Sequence, residues 1–113
     1  MAYVNLPKKK DRRIQTNQTK GYQKIYQDPR WKSLRDWKFR HFPICEECER
    51  NGITSITEEI HHIIKFSDGL TDKEIKILAF SRLNTMALCV KCHHFKHVNY
   101  KIDYELRKKL LKY

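Results

Sequence analysis

Two kinds of metal-binding side chain are concentrated in this chain. Cysteines occur as two C-x-x-C pairs, in the segments PICEEC and LCVKC. Histidines occur as a doublet in EEIHHII and as three of the five residues in HHFKH. Thiolates and neutral imidazoles are good ligands for transition metals, and an imidazole can also accept a proton near neutral pH. These segments therefore predict metal binding and, at the histidines, acid–base chemistry.

The four cysteines predict a structural zinc site. Four thiolates satisfy a tetrahedral Zn²⁺ completely and leave no open position for water. Two alternatives remain at this point: the cysteines of a secreted protein would form two disulfides, and His93 or His94 could replace one cysteine as a ligand. The predicted zinc ligands are Cys45, Cys48, Cys89 and Cys92.

The histidines outside this set suggest a second site. His93 and His97 are four residues apart, which places both imidazoles on one face of a helix, although exposed histidines at this spacing are common. His61 and His62 end a β-branched run, where a core role is hard to justify because a buried imidazole needs partners. Consecutive strand residues point to opposite faces, so both serve one site only if the strand ends or bulges there.

The net charge of +11 and the pI near 9.6 indicate a polyanionic partner, usually nucleic acid. Residues 1–40 hold 12 Lys and Arg against 3 Asp and Glu, whereas residues 41–113 hold 12 against 10. The basic excess is either a solvated tail or an arm that binds nucleic acid. Aromatic residues among the charges favour the arm.

The length of 113 residues is sufficient for one domain, and 40% hydrophobic residues allow a thin core. The sequence has no run of about 20 apolar residues and no apolar segment typical of a secretion signal. We therefore expect a protein of the reducing cytoplasm, without a membrane partner. Four cysteines in that compartment favour metal over disulfides.

The periodicity predicts a mixture of helices and short strands. Residues 1–27 are polar with little periodicity, and we expect a flexible basic arm. Asp28-Pro29 is a good helix start, and the helix should close before Pro43. The remaining predictions are a strand in ITSITEEIHHII, a helix in TDKEIKILAF with Ile75, Leu78 and Ala79 inward, a strand in Leu83–Leu88, a helix beyond Cys92 to about Val98, and a terminal helix with Ile102, Leu106 and Leu110 on one face.

The order CxxC, EEIHHII, LNTMALC and CVKCHHFKH resembles the HNH endonucleases that carry a four-cysteine zinc site. The similarity covers about residues 30 to 97 and is closest to short, phage-type members. It implies an α+β fold with a small ββα-metal core, in which a two-stranded hairpin and a helix clasp one divalent ion, plus flanking helices. Residues 28–98 would form the nuclease domain, and residues 99–113 a C-terminal helix packed on it.

The resemblance also assigns roles to the residues that match its motifs. His61 fills the position of the first metal ligand, which is often Asp in relatives, and His62 that of the general base. Asn84 matches the middle asparagine, which holds a loop and the orientation of the base. His93 matches the metal ligand on the helix.

Two further positions are less constrained by the resemblance. His97 stands where many relatives have Thr, although nuclease toxins of the same superfamily have a ligating His there, so it is a candidate third ligand. Lys96 matches a basic position that could meet a phosphate. Together with the basic N-terminal region, the predicted DNA-binding residues are Lys8, Lys9, Lys10, Arg12, Arg13 and Lys96.

The implied activity is metal-dependent hydrolysis of DNA phosphodiester bonds, by nicking or by double-strand cleavage. The catalytic ion would be Mg²⁺ or Mn²⁺, with Ni²⁺ or Zn²⁺ as alternatives because histidine-rich sites favour later transition metals. Phage-type relatives suggest work in DNA packaging in the host cytoplasm, beside the terminase and portal. The competing hypotheses are a non-catalytic zinc module that binds nucleic acid and a packaging accessory protein.

Overall fold

The structure is a computed structural model that describes the backbone of residues 17–112 and the side chains of residues 22–112. Among these residues, none of the helices has the length and apolarity needed to cross a bilayer. In chain order the elements are α1 (Asn17–Gln27), α2 (Pro29–His41), α3 (Glu46–Arg50), β1 (Glu59–His62), a 3₁₀ turn (Phe66–Asp68), α4 (Asp72–Phe80), a 3₁₀ turn (Arg82–Asn84), β2 (Thr85–Leu88), α5 (Val90–Val98) and α6 (Tyr104–Leu111).

The sheet consists of β1 and β2, paired antiparallel with His61 opposite Met86 and His62 opposite Thr85. A two-stranded sheet is marginally stable by itself, so it needs support from other elements. Helix α5 begins directly after β2 and packs on both strands, and α2 contacts β1. This β–β–α arrangement confirms the predicted α+β fold.

The core lies in two clusters. The larger contains Ile64, Phe66, Leu78, Ala79 and Leu111, and side chains from α1, α4 and α6 pack around it. The smaller contains Leu88 and the cysteines, beside the sheet. Leu78 and Ala79 are buried, as the sequence predicts, while the strand predicted for ITSITEEIHHII shrinks to four residues and an isolated bridge between Ile44 and Ile56.

Helix α1 corrects part of the sequence prediction, because the expected flexible arm extended through residue 27. Residues 17–27 are helical instead. Tyr22 and Ile25, three residues apart, pack against the larger cluster, and the Tyr22 ring meets Phe66 edge-on with centroids 5.3 Å apart. A short polar helix of this kind gains its stability from tertiary packing, which periodicity does not reveal. Residues 1–16 lie outside the described part.

Helix α2 begins as the sequence predicts and then ties the smaller cluster to the rest of the fold. Asp28 caps it by accepting from the amide of Arg30 at 2.8 Å. Its buried Lys38 pairs with Glu46 of α3 at 3.2 Å. The same carboxylate accepts from the amide of Ala87 in β2 at 2.7 Å. One carboxylate therefore connects α2, the first cysteine pair and the sheet.

Candidate metal centre

The four cysteines converge at one end of the sheet. Cys45 precedes α3 and Cys89 precedes α5, so each C-x-x-C pair spans the first turn of a helix. The Sγ atom of Cys48 lies 3.9 Å from that of Cys89 and 3.7 Å from that of Cys92. Four sulfurs around a tetrahedral ion, each at about 2.3 Å, would be about 3.8 Å apart. The cluster therefore has the dimensions of a zinc site.

The chemical state of these cysteines also fits a metal site. All four are free, so the structure favours a metal site over the two-disulfide alternative. The amide of Cys92 donates to the sulfur of Cys89, and this bond is the main reason why the pKa of Cys89 is lowered to about 6. The buried hydroxyl of Ser55 also lowers this pKa, and it lies within hydrogen-bonding reach of Cys48 as well. A low thiol pKa favours the thiolate, which is the ligand form, at Cys89. Burial acts in the opposite direction at Cys92, whose pKa it raises.

Neither His93 nor His94 enters this cluster, so the histidine-for-cysteine alternative is wrong. In this cluster the ligand atoms that lie within 4.8 Å of one another are the sulfurs of the four cysteines. His94 is exposed, and His93 belongs to a separate group with His61 and His97.

That second group consists of three imidazoles from the strand and the helix. The nitrogens of His61, His93 and His97 all lie within 4.8 Å of one another. The Nε2 atoms of His93 and His97 are 3.0 Å apart. Two imidazoles bound to one ion at about 2.1 Å, with an angle of about 90° to 110° between the bonds, would have nitrogens about 3.0 to 3.4 Å apart. The three rings could therefore share one metal ion.

Electrostatics favour ligand-competent imidazoles at this site. His61 is buried, and burial, followed by the nearby His93 and His97, lowers its pKa to about 3. Burial also lowers the pKa of His97, although this ring is more exposed. The His61 ring is therefore neutral at cellular pH, which leaves a nitrogen lone pair for a metal.

Glu59 completes this group and was missed by the sequence analysis. Its carboxylate pairs with Nδ1 of His93, which leaves Nε2 of that ring directed toward His97. Carboxylate partners of this kind commonly orient histidines that bind metals. Glu59 stands two residues before His61 in β1, and the strand period of two places both on one face. The spacing of two residues between Glu59 and His61 was the sequence feature that could have predicted a role for Glu59 at this site.

His62 lies beside this group in a different environment. Its Nε2 lies 3.0 Å from the carbonyl oxygen of Ala79, to which it can only donate. This bond places the proton on Nε2 and leaves Nδ1 as an acceptor. The ring stacks on Trp31, with centroids 4.7 Å apart, and burial lowers its pKa below the ordinary value. His62 is therefore a neutral imidazole with a defined tautomer.

Asn84 supports the loop that follows β1. It is completely buried; its Oδ1 accepts from the amide of Ile64 at 2.8 Å, and its Nδ2 donates to the carbonyl of Ile64 at 2.9 Å. Nδ2 also donates to the carbonyl of Leu78 at 2.8 Å. The next residue is Ala79, the partner of His62. Asn84 thus links the end of the strand to the backbone that orients the imidazole.

The strand ends at His62, and both members of the doublet line one cavity of about 220 Å³. His93 and His97 line it as well, and its remaining wall comes from α1, from Ile60 of β1 and from the loop after β1. The sequence analysis required the strand to end or bulge at the histidine doublet if both histidines were to serve one site. The strand does end there. The structure thus brings the histidine group and His62 around a shared space.

Only one of the six predicted DNA-binding residues, Lys96, lies in the part of the chain that the structure describes. Lys96 lies on α5 and pairs with Glu47 at 3.3 Å, near the cysteine cluster. It also lines a second cavity, of about 240 Å³, on the other side of His61. Five predicted residues lie outside the described part: Lys8, Lys9, Lys10, Arg12 and Arg13.

No protein-family model matches the chain, and no curated protein sequence does. Among solved structures, it is similar to the crystal structure of the HNH endonuclease of the deep-sea thermophilic bacteriophage GVE2 with a manganese ion. The TM-score is 0.56 at 15% sequence identity, over 84% of this chain and 94% of that one. The fold is HNH-like. At this identity the similarity shows the architecture, while the chemistry has to be argued from the site.

Proposed function

We propose that this chain is a metal-dependent endonuclease that hydrolyses DNA phosphodiester bonds. The observation that carries the proposal is the cavity that three converging imidazoles and a fourth, tautomer-fixed imidazole line together. The HNH-like fold and the charge of +11 support DNA as the substrate.

His61, His93 and His97 would hold the catalytic ion, and Glu59 would orient His93. A divalent ion at this position would supply Lewis-acid stabilisation of the negative charge that develops on the phosphoryl oxygens. The all-imidazole donor set suits Mn²⁺, Ni²⁺ or Zn²⁺ better than Mg²⁺, which prefers oxygen ligands. The cysteine cluster would hold a separate structural Zn²⁺.

His62 would act as the general base. With its proton on Nε2 held by Ala79, Nδ1 can accept a proton from the attacking water. The lowered pKa keeps this nitrogen unprotonated at cellular pH. Asn84 would fix the base indirectly, through the backbone next to Ala79. General-base catalysis typically contributes about 10²- to 10⁴-fold to a rate.

The test is cleavage of supercoiled plasmid with added Mg²⁺, Mn²⁺, Ni²⁺ or Zn²⁺. We expect conversion to nicked or linear DNA with at least one ion, and at least about a 100-fold loss in His62→Ala. His62→Gln is the second variant, because its amide can still donate to Ala79 but cannot take up a proton. His94→Ala is the matched control, since this exposed histidine lies outside the cavity.

Failure to cleave both supercoiled plasmid and single-stranded DNA with every ion would overturn the proposal and favour a non-catalytic zinc module. Wild-type cleavage by both His62 variants would remove His62 from the mechanism. His61→Ala and His93→Ala should instead raise the ion concentration needed for half-maximal rate. A role in packaging beside a terminase and portal, and a location in the host cytoplasm, stay predictions of the resemblance.

A further inference from the structure

The cavity beside the histidines has an unusual wall for a phosphate-binding site. Three aromatic rings line it: Tyr22 and Tyr26 from α1, and Phe66 from the loop after β1. We call these three residues the aromatic wall. Phe66 is buried in the larger core cluster and Tyr22 packs against it, whereas Tyr26 is exposed and belongs to neither core cluster.

The aromatic wall is continuous with the catalytic side of the cavity. The ring of Phe66 meets His62 edge-on with centroids 5.1 Å apart, and the ring of Tyr26 follows with centroids 5.5 Å from Phe66. Two ring contacts thus separate His62, the proposed general base, from Tyr26. A DNA strand whose scissile phosphate lies at the histidines would therefore place a neighbouring nucleotide against this wall.

Size and accessibility limit what can occupy the space. The cavity of about 220 Å³ has room for one flat ring system. Tyr26 is 48% exposed, so its ring is available to a ligand. Lys65 also lines the cavity and adds a positive charge to it, with its Nζ atom 4.6 Å from the ring centroid of Tyr100.

We infer that the aromatic wall stacks on one unpaired nucleobase beside the scissile phosphate, so that the preferred substrate is single-stranded or locally unpaired DNA. The inference rests on the proposed nuclease function and specifies its substrate class. Aromatic side chains stack on every base, so this contact tolerates sequence variation. A base within a duplex must first leave its stack and its partner, which costs a few kcal/mol, whereas an unpaired base avoids most of that cost.

The experiment uses a single-stranded oligonucleotide with a mapped cleavage position and a series of copies with one abasic nucleotide at successive positions. We expect the wild-type protein to cleave the single strand faster than its duplex. One abasic position next to the cleavage point should lower kcat/KM by about 5- to 150-fold, the effect of removing one stacked base.

The protein variants identify the stacking partner. In Tyr26→Ala the same abasic nucleotide should cost less than about 2-fold, because Tyr26 is the exposed ring of the aromatic wall, whereas Phe66 is buried in the core and Tyr22 packs against it. Tyr26→Phe should keep the wild-type penalty. Tyr104→Ala removes an exposed tyrosine from α6 and is the matched control. A merely structural role for Tyr26 would slow all substrates equally and leave the abasic penalty unchanged.

A parallel measurement of the dissociation constant, by fluorescence anisotropy without added Mg²⁺ or Mn²⁺, should show the same pattern. The inference is overturned if no abasic position weakens binding or cleavage by more than about 2-fold, or if the penalty persists in Tyr26→Ala. Absence of cleavage on every DNA with every ion would instead defeat the nuclease proposal. The binding measurement would still decide whether the aromatic wall holds a base.

Discussion

Replacement of Asn84 by Asp is a direct test of how the fold positions the site. The side chain is completely buried and serves three backbone groups: the amide and carbonyl of Ile64, and the carbonyl of Leu78. Asp has nearly the same shape, but an oxygen replaces the nitrogen that donates to both carbonyls. The amide of Ile64 keeps its acceptor, whereas the two carbonyls lose their donor.

The magnitude follows from these hydrogen bonds. A buried polar group left without its partner costs about 1 to 3 kcal/mol, so two carbonyls give about 2 to 6 kcal/mol at neutral pH. A protonated carboxyl could still donate to one carbonyl. Burial and the two facing oxygens should therefore raise the folded-state pKa of the new carboxyl above its unfolded value of about 3.9.

The sign of the pH dependence is determined by this raised pKa. Stability associated with the protonated carboxyl is present at low pH and is lost as the pH rises toward the folded-state pKa, at about 1.4 kcal/mol per pH unit. The destabilisation of Asn84→Asp relative to wild type at the same pH should therefore grow between pH 5 and pH 7, by up to about 2.7 kcal/mol.

Urea unfolding followed by circular dichroism at pH 5, 6 and 7 measures these differences. Asn51→Asp is the control, because Asn51 also donates to a backbone carbonyl, that of Glu47, but at the surface. We expect less than about 1 kcal/mol for the control, with little change with pH. A destabilisation of less than about 1 kcal/mol for Asn84→Asp at pH 7, or one that is constant from pH 5 to 7, would refute the reasoning.

Three further predictions concern the metals and DNA. Glu59→Gln should weaken divalent-ion binding at the three histidines by about 10- to 100-fold, measured by titration calorimetry; unchanged affinity would show that this carboxylate does not support the site. Cys48→Ser should lose tightly bound zinc and lower the melting temperature by more than about 10 °C, whereas full zinc content in this variant would contradict a four-cysteine site. Deletion of residues 1–13 should raise the dissociation constant for DNA and make it less dependent on salt. In a plot of the logarithm of the binding constant against the logarithm of the salt concentration, the slope should become shallower by about 0.9 for each phosphate that the protein no longer neutralises. An identical slope would exclude this region from binding.

The sequence by itself determined which residue types are available for chemistry and several local relations among them. Two C-x-x-C pairs indicated four thiolate ligands. The separation of four residues placed His93 and His97 on one helical face, because the helix has about 3.6 residues per turn. Asp28-Pro29 set the start of α2 through a local capping bond. These relations involve neighbours along the chain, so the sequence expresses them directly.

Only the tertiary structure decided which of these groups meet. Pairing of β1 with β2 places His61 opposite Met86, and α5 then folds back so that His93 and His97 reach His61 from 32 and 36 positions away in the chain. The sequence did not predict α1 either, because this helix is stabilised by packing of Tyr22 and Ile25 against a core built from distant segments. Such packing depends on the register of the strands and the arrangement of the helices, which no local pattern encodes.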